Sequence, residues 1–78
     1  MITANDITVI DCETISYIDL YGNTYQFETW DPMTLSELED AKSQFAMILN
    51  ISDRSAEAIE YHMYLNGFDG IVNVYKAK

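Results

Sequence analysis

The segment from Ile15 to Trp30, ISYIDLYGNTYQFETW, constrains the fold of this chain more than any other part of it. Two runs rich in β-branched and aromatic residues flank Gly22-Asn23, and a glycine at the first central position suits a two-residue hairpin turn. We therefore predict a β-hairpin with Gly22-Asn23 as its loop. A one-residue slip in the pairing would exchange the faces of the strands, so the predicted surface depends on this register.

The predicted register sorts the side chains of the hairpin into two faces, because alternate residues of a strand point to opposite sides of the sheet. The face expected to pack on the core carries Ser16, Ile18, Leu20, Tyr25, Phe27 and Thr29. The opposite face carries Ile15, Tyr17, Asp19, Tyr21, Thr24, Gln26, Glu28 and Trp30. This second face mixes aromatic rings with carboxylates and is therefore the candidate contact surface.

The N-terminal region predicts one more strand of the same sheet. Residues 1–5 are expected to form a loose lead-in. Residues 6–11 alternate as a strand that places Ile7 and Val9 on the core side. Cys12-Glu13 is then expected to turn the chain into the hairpin, which gives a three-stranded meander.

A first helix is predicted after Asp31-Pro32, because proline cannot donate to a sheet ladder and ends the third strand. Thr34 and Glu37 fit a capping box, with Thr34 as the N-cap. Apolar residues, beginning with Leu35, then recur at helical spacing and indicate a helix from about 35 to 50.

A second helix is predicted after a break, capped by Ser52 or Asp53 and ended by Asn66-Gly67. Asp69-Gly70 is expected to form a turn, and residues 71–75 a last strand. The order β-β-β-α-α-β predicts an α+β fold: an antiparallel sheet with both helices packed on one face. The length of 78 residues predicts a single domain, 1–78.

The charge of the chain restricts its partners. Asp and Glu number 13 against 4 Lys and Arg, so the formal net charge is −9. Proteins that bind nucleic acid draw affinity from Lys and Arg on phosphates, so direct nucleic-acid binding is not expected. A basic protein is the expected partner, because long-range attraction would speed the encounter.

The sequence indicates a cytoplasmic protein. Cys12 is the only cysteine, so no internal disulfide can form, and a reducing compartment is the default. The N-terminal residues show no signal-peptide pattern, and no apolar run approaches the ~18 residues of a membrane span. We therefore expect no membrane association.

Catalysis is not expected from this sequence. His62 is the only histidine and has no second ligand or base at a useful spacing. Cys12 stands between Asp11 and Glu13, whose charges disfavour a reactive thiolate. Carboxylate pairs occur on the helices, as at Glu57 and Glu60, but solvated helix faces show these routinely. We predict no catalytic residues, no metal site and no cofactor.

The predicted partner-binding residues are tyrosines, a tryptophan and the carboxylates between them. Tyr and Trp carry much of the energy of protein interfaces, and surrounding carboxylates would select a patch rich in Lys and Arg. On the second helix, residues spaced at i, i+4 and i+7 share a face. The set comprises Tyr17, Asp19, Tyr21, Glu28, Trp30, Glu57, Glu60, Tyr61 and Tyr64.

In size and charge the chain resembles the small acidic proteins with which phages block host nucleases and CRISPR complexes. That resemblance implies a non-enzymatic inhibitor that acts in the host cytoplasm. Its partner would be a nucleic-acid-binding protein or complex, whose basic surface it occupies. A more specific form is partial nucleic-acid mimicry, since carboxylates ~5–6 Å apart on a helix can imitate a series of phosphates.

Two alternatives belong to other classes. The first is a homo-oligomeric structural or assembly module, in which a homodimer buries Ile15, Tyr17 and Trp30 against a second copy. A charge of −9 on each chain opposes that symmetric contact. The second is a small enzyme that uses a carboxylate pair such as Glu57 and Glu60.

Overall fold

A computed structural model of the chain describes residues 1–68 and 71–77, with the side chains described as far as residue 68. The strands form one antiparallel sheet in the spatial order β1-β2-β3-β4. The α+β prediction is confirmed. The elements are β1 (Thr8–Asp11), β2 (Thr14–Ile18), β3 (Thr24–Thr29), α1 (Leu35–Ile51), α2 (Ala56–Leu65) and β4 (Ile71–Ala77).

The core lies between one face of the sheet and the two helices. Phe27 of β3 is fully buried, and its ring centroid lies 6.3 Å from that of Phe45 on α1 and 5.9 Å from that of Phe68 after α2. Burial of large apolar side chains supplies most of the stability of such a layer. The fully buried large side chains are Phe27, Phe45, Ile15, Ile48, Leu49, Ile59 and Met63.

The register of the hairpin differs from the prediction. Ile15 pairs with Phe27 and Ile18 pairs with Thr24, so the loop has five residues, 19–23, and Gly22-Asn23 is not the whole turn. The pairing is displaced by three residues, an odd number, so β2 presents its other face to the helices. Ile15 therefore lies in the core, whereas Ile18 and Leu20 are exposed.

The carboxylate of Asp19 stabilises the longer loop. Its Oδ1 accepts hydrogen bonds from the backbone amides of Tyr21 and Asn23, each at 2.9 Å. Its Oδ2 accepts from the Asn23 side chain at 3.0 Å and from the Tyr25 hydroxyl at 3.4 Å. Gly22 adopts a φ of 83°, a conformation that glycine reaches without strain. An aspartate whose side chain accepts hydrogen bonds from nearby backbone amides stabilises a turn.

The N-terminal residues are ordered, which corrects the expected loose lead-in. Residues 4–6 form a short 3₁₀ helix, and the Asp6 carboxylate accepts from the Thr3 amide at 2.8 Å. Ile2 is buried in the core cluster. These contacts dock the first residues of the chain against α1.

β1 begins at Thr8 rather than at residue 6 and contains an irregular step. Val9 pairs with Ile15 and Asp11 with Thr14, so Ile10 is an extra residue in the edge strand. Such a β-bulge interrupts the ladder and bends the strand.

The first helix confirms its predicted start. The Glu37 amide donates to Thr34 Oγ1 at 3.2 Å, and the Thr34 amide donates to the Glu37 carboxylate at 2.9 Å, which completes the capping box. Leu35 is exposed at the first helical position, so its predicted place on the core stripe was wrong. α1 ends at Ile51.

The second helix begins later than predicted. Ser55 is its N-cap, and its hydroxyl accepts from the Ala58 amide at 3.1 Å. Asp53 instead accepts from the Ser55 amide at 3.0 Å, and this hydrogen bond holds the pKa of the Asp53 carboxyl below its ordinary value. The predicted end at Asn66-Gly67 is confirmed, with Gly67 at a φ of 96°. The predicted turn at Asp69-Gly70 lies outside the described residues.

Candidate partner-binding surfaces

The predicted partner-binding residues fall in three parts of the fold rather than on one face. One group lies at the hairpin loop, another on α2, and the remaining two residues near the far end of β3. Tyr17, Asp19 and Tyr21 belong to the first group, Glu57, Glu60, Tyr61 and Tyr64 to the second, and Glu28 and Trp30 to the third.

The first group borders a cleft that we call the loop cleft. It lies between the hairpin loop, the N-terminal segment and the connection between α1 and α2, and it has a volume of about 410 Å³. A cleft of this size can receive a small ligand or a protruding side chain of a protein. Its walls include Met1, Asp6, Tyr17, Asp19, Leu20, Tyr21 and Arg54.

The sequence predicted that Tyr17 points away from the core. The structure instead packs Tyr17 against the core cluster. Tyr17 pairs with Tyr25 across the hairpin, and their rings stack with centroids 6.3 Å apart and an interplanar angle of 26°. The Arg54 guanidinium lies 5.8 Å from the Tyr25 ring centroid, within the range of a cation–π contact. Tyr17 is half-buried and packs on the core cluster, so only part of its ring is available to a partner.

Arg54 is a wall residue of the loop cleft that the sequence did not indicate. Its backbone has a φ of 63°, a left-handed conformation that costs of order 1–2 kcal/mol for a side chain with a Cβ. Its Nε donates to the Leu49 carbonyl at the end of α1 at 2.8 Å. The side chain therefore holds the break between the helices in place, and no sequence pattern announces that backbone conformation.

Asp19 holds the hairpin loop rather than offering a free carboxylate. The Asn23 side chain, and then the amides of Asn23 and Tyr21, keep the pKa of the Asp19 carboxyl below its ordinary value. The group contributes negative charge to the loop cleft, but its oxygens accept hydrogen bonds from its own loop.

Trp30 is exposed but stands apart from Tyr21. Tyr21 lies in the loop before β3, and Trp30 directly follows β3. The six residues of that strand separate them by about 17–20 Å at ~3.3 Å per residue. The single aromatic patch predicted from Tyr17, Tyr21 and Trp30 therefore does not form. The homodimer contact predicted through Ile15 is excluded as well, because Ile15 has no exposed surface.

Glu28 lies on the sheet face away from the helices. Its neighbour Phe27 points into the core, and successive side chains of a strand alternate. The Glu28 carboxylate is half-buried and accepts from the Gln26 side chain at 3.3 Å. It is thus separated from the tyrosines with which the predicted register had grouped it.

α2 keeps its predicted residues together on one exposed surface, which we call the α2 face. Glu57 and Glu60 are exposed, and Tyr61 and Tyr64 each retain 61% of their surface. Residues three and four apart on a helix are neighbours, so two rings and two carboxylates adjoin one another. His62 is half-buried, and its ring meets the Tyr61 ring edge-on with centroids 5.7 Å apart.

The negative charge is largely uncompensated within the described residues. Twelve of the 13 acidic residues, all but Asp69, lie in residues 1–68. In the described part of the chain the one ion pair joins Lys42 Nζ to a Glu39 carboxylate oxygen at 3.1 Å. Neither carboxylate of the α2 face has a cationic partner there. Exposed carboxylates of this kind attract cations over roughly a Debye length, ~8 Å at physiological ionic strength.

Reactive groups are not assembled in the described residues. Cys12 is exposed in the turn between β1 and β2. Within residues 1–68 and 71–77, no three His, Cys, Asp or Glu side chains lie close enough to hold a metal ion. Over the same residues, no helix combines the length and hydrophobicity needed to cross a membrane.

Comparisons with known proteins give no matching family model, no matching curated sequence and no matching solved structure.

Proposed function

We propose that this protein is a non-enzymatic inhibitor that binds a basic protein and blocks the surface with which that protein handles nucleic acid. The α2 face carries the proposal, because Glu57, Glu60, Tyr61 and Tyr64 are exposed together there. Tyrosines supply contact area at low entropic cost, and exposed carboxylates beside them select Lys and Arg.

The proposed mechanism is steric and electrostatic competition. The net charge of −9 would attract a basic surface at long range and accelerate the encounter. Adjacent carboxylates on the α2 face would then occupy positions that phosphates take on the partner, as a partial nucleic-acid mimic. Bound protein would exclude nucleic acid because both ligands compete for the same cationic side chains.

The setting we propose is the cytoplasm of a bacterial host, with the protein supplied by a phage. A nuclease or a CRISPR complex is the kind of target that presents a basic channel to an acidic domain of this size. The support is the combination of small size, acidity and exposed tyrosines described above.

The first experiment identifies the partner and tests the α2 face. Immobilised wild-type protein would capture proteins from an extract of the source cell or its host, and the captured protein would be purified. We expect a basic protein whose DNA or RNA binding is displaced by the wild-type chain. The affinity of the captured protein for the wild-type chain should fall about tenfold or more when the salt concentration rises several-fold, since several charge contacts contribute.

A matched pair of variants controls for net charge. Glu57→Gln/Glu60→Gln and Asp31→Asn/Asp40→Asn remove the same number of carboxylates, all from exposed positions. Only the double variant Glu57→Gln/Glu60→Gln is expected to weaken binding to the partner and to reduce the displacement of nucleic acid. Equal affinity of both variants, or affinity that does not change with salt, would contradict the proposal.

A further inference from the structure

We infer that the hairpin loop, residues 19–23, is a preformed apolar anchor whose Leu20 and Tyr21 enter an apolar pocket bordered by cationic side chains on the same basic partner. This inference rests on the proposed function and adds a second contact to it. Leu20 is fully exposed, and Tyr21 retains 82% of its surface. Both line the loop cleft beside the exposed side chain of Met1.

The loop presents these two side chains on a rigid backbone. Besides the bonds that Asp19 accepts through its carboxylate, its amide donates to the Asn23 carbonyl at 2.9 Å, and the Gly22 amide donates to the Asp19 carbonyl at 3.1 Å. Hydrogen bonds therefore join both ends of the loop and its centre. A loop that is already ordered loses less conformational entropy on binding, so apolar residues at its tip contribute more net affinity.

The loop is also connected to the core. Asp19 Oδ2 accepts from the hydroxyl of Tyr25, a buried residue of β3. The Tyr25 ring contacts both the Tyr17 ring and the Arg54 guanidinium. These contacts connect the loop to side chains at the edge of the core.

Charge complementarity selects the occupant. Asp6 and Asp19 stand beside the tip in a chain of net charge −9, so a second copy, a nucleic acid and an anionic membrane would all be repelled. Leu20 and Tyr21 require an apolar pocket, whereas the carboxylates beside them favour a cationic rim. A basic protein with such a pocket satisfies both conditions.

Amide hydrogen exchange tests the preformed loop without any partner. In the wild-type protein the amides of Tyr21 and Asn23 should be protected, because each donates to Asp19 Oδ1. In Asp19→Ala both should exchange about tenfold faster or more, since each loses its acceptor. The control is Glu37→Ala, which removes a carboxylate that likewise accepts a backbone amide but does not line the loop cleft, and it should leave these two amides protected. Free exchange of both amides in the wild type would overturn the inference.

Binding to the captured partner tests the anchor itself. Leu20→Ser and Tyr21→Ser should each weaken affinity about tenfold or more, as truncation of a buried interface residue does. Asp19→Ala should also weaken it although the tip side chains are intact. Leu35→Ser, another exposed apolar residue, is the control and should bind as the wild type does.

The outcomes separate this inference from the function on which it rests. Wild-type affinity in Leu20→Ser and Tyr21→Ser, with weaker binding of Glu57→Gln/Glu60→Gln, would overturn the anchor and leave the inhibitor proposal standing. A loss of affinity in Leu20→Ser and Tyr21→Ser, with none in Glu57→Gln/Glu60→Gln, would support the loop as an anchor. It would contradict the proposed role of the α2 face in binding. Failure of the wild-type protein to bind any basic protein would overturn both.

Discussion

Ile2 and Asn50 hold each other by two hydrogen bonds across the 48 positions that separate them in the sequence. The Ile2 amide donates to Asn50 Oδ1 at 3.0 Å, and Asn50 Nδ2 donates to the Ile2 carbonyl at 2.8 Å. The Asn50 side chain thus forms the two hydrogen bonds that the backbone of a paired strand would form. It satisfies both the amide and the carbonyl of the buried Ile2. The N-terminal wall of the loop cleft depends on this pair, because Met1 and Ile2 both line it.

Asn50→Ala should destabilise the fold by about 1–3 kcal/mol, because it leaves the amide and carbonyl of Ile2 without their partners. Urea unfolding followed by circular dichroism would measure the change. Asn5→Ala is the matched control: Asn5 is exposed, and we expect a change within about 0.5 kcal/mol there. A similar loss of stability in the two variants would show that the Ile2–Asn50 pair contributes nothing particular.

The register of the hairpin predicts opposite results for two isoleucines of one strand. Ile15→Ala should cost about 2–5 kcal/mol, since Ile15 is fully buried. Ile18→Ala should cost about 1 kcal/mol or less, because Ile18 retains 64% of its surface and loses mainly strand propensity. Denaturant unfolding of both variants gives the comparison. The reverse order of stability would support the two-residue loop at Gly22-Asn23 instead.

The capping box predicts a pH-dependent contribution from Glu37. Hydrogen bonds from the Thr34 backbone, and then from its side chain, hold the pKa of the Glu37 carboxyl below its ordinary value of 4.5. A lowered pKa means that the stabilisation is complete above the ordinary value and is lost as the pH falls through the lowered one. The difference in unfolding free energy between the wild type and Glu37→Gln should therefore be largest near neutral pH and shrink below pH 4.5.

Glu37→Gln isolates the charge, because glutamine can still accept the hydrogen bond from the Thr34 amide. Asp40→Asn removes one negative charge from the same helix and serves as the control for a general change of net charge. A wild-type advantage over Glu37→Gln that grows on acidification would be the wrong sign for this explanation.

Added salt should stabilise the free protein. With a charge of −9 and one ion pair in the described part of the chain, repulsion among carboxylates opposes the compact state. Raising ionic strength from about 0.01 M to about 0.15 M shortens the Debye length from about 30 Å to about 8 Å. The melting temperature should rise over this range, and it should rise less in Glu57→Gln/Glu60→Gln, which carries two fewer charges. A melting temperature that falls with salt would mean that attraction between unlike charges dominates.

The sequence predicted the elements of the fold because their signals are local. The capping box at Thr34, the end of α2 at Asn66-Gly67 and the order of strands and helices each depend on residues close together in the chain. The α2 face was predicted for the same reason, since helical spacing alone decides which residues of one helix are neighbours.

The face of the hairpin that packs on the core could not be predicted in the same way, because it depends on which of two possible loops forms. Gly22-Asn23 favours a two-residue turn, whereas Asp19 closes a five-residue loop through its carboxylate. The sequence contains both signals, and the burial of Ile15 against Phe27 agrees only with the second. That difference moved Tyr17 to the core side of the sheet and away from Glu28, which lies on the opposite face.

The loop cleft was missed because its walls come from three distant segments. Asp6, Tyr21 and Arg54 meet only after the N-terminal residues dock on α1 and the helices turn at Arg54. Arg54 has a left-handed backbone, and an arginine gives no local indication of that conformation.

The extra residue at Ile10 has a consequence for how the protein behaves when it is concentrated. β1 is an outer strand whose side chains are all exposed, Val9 and Ile10 among them, and such a strand can recruit another chain. The bulge breaks the regular spacing of amides and carbonyls that a recruited strand would need, and Asp11 adds repulsion. We therefore expect fibril growth from this side of the sheet to be hindered.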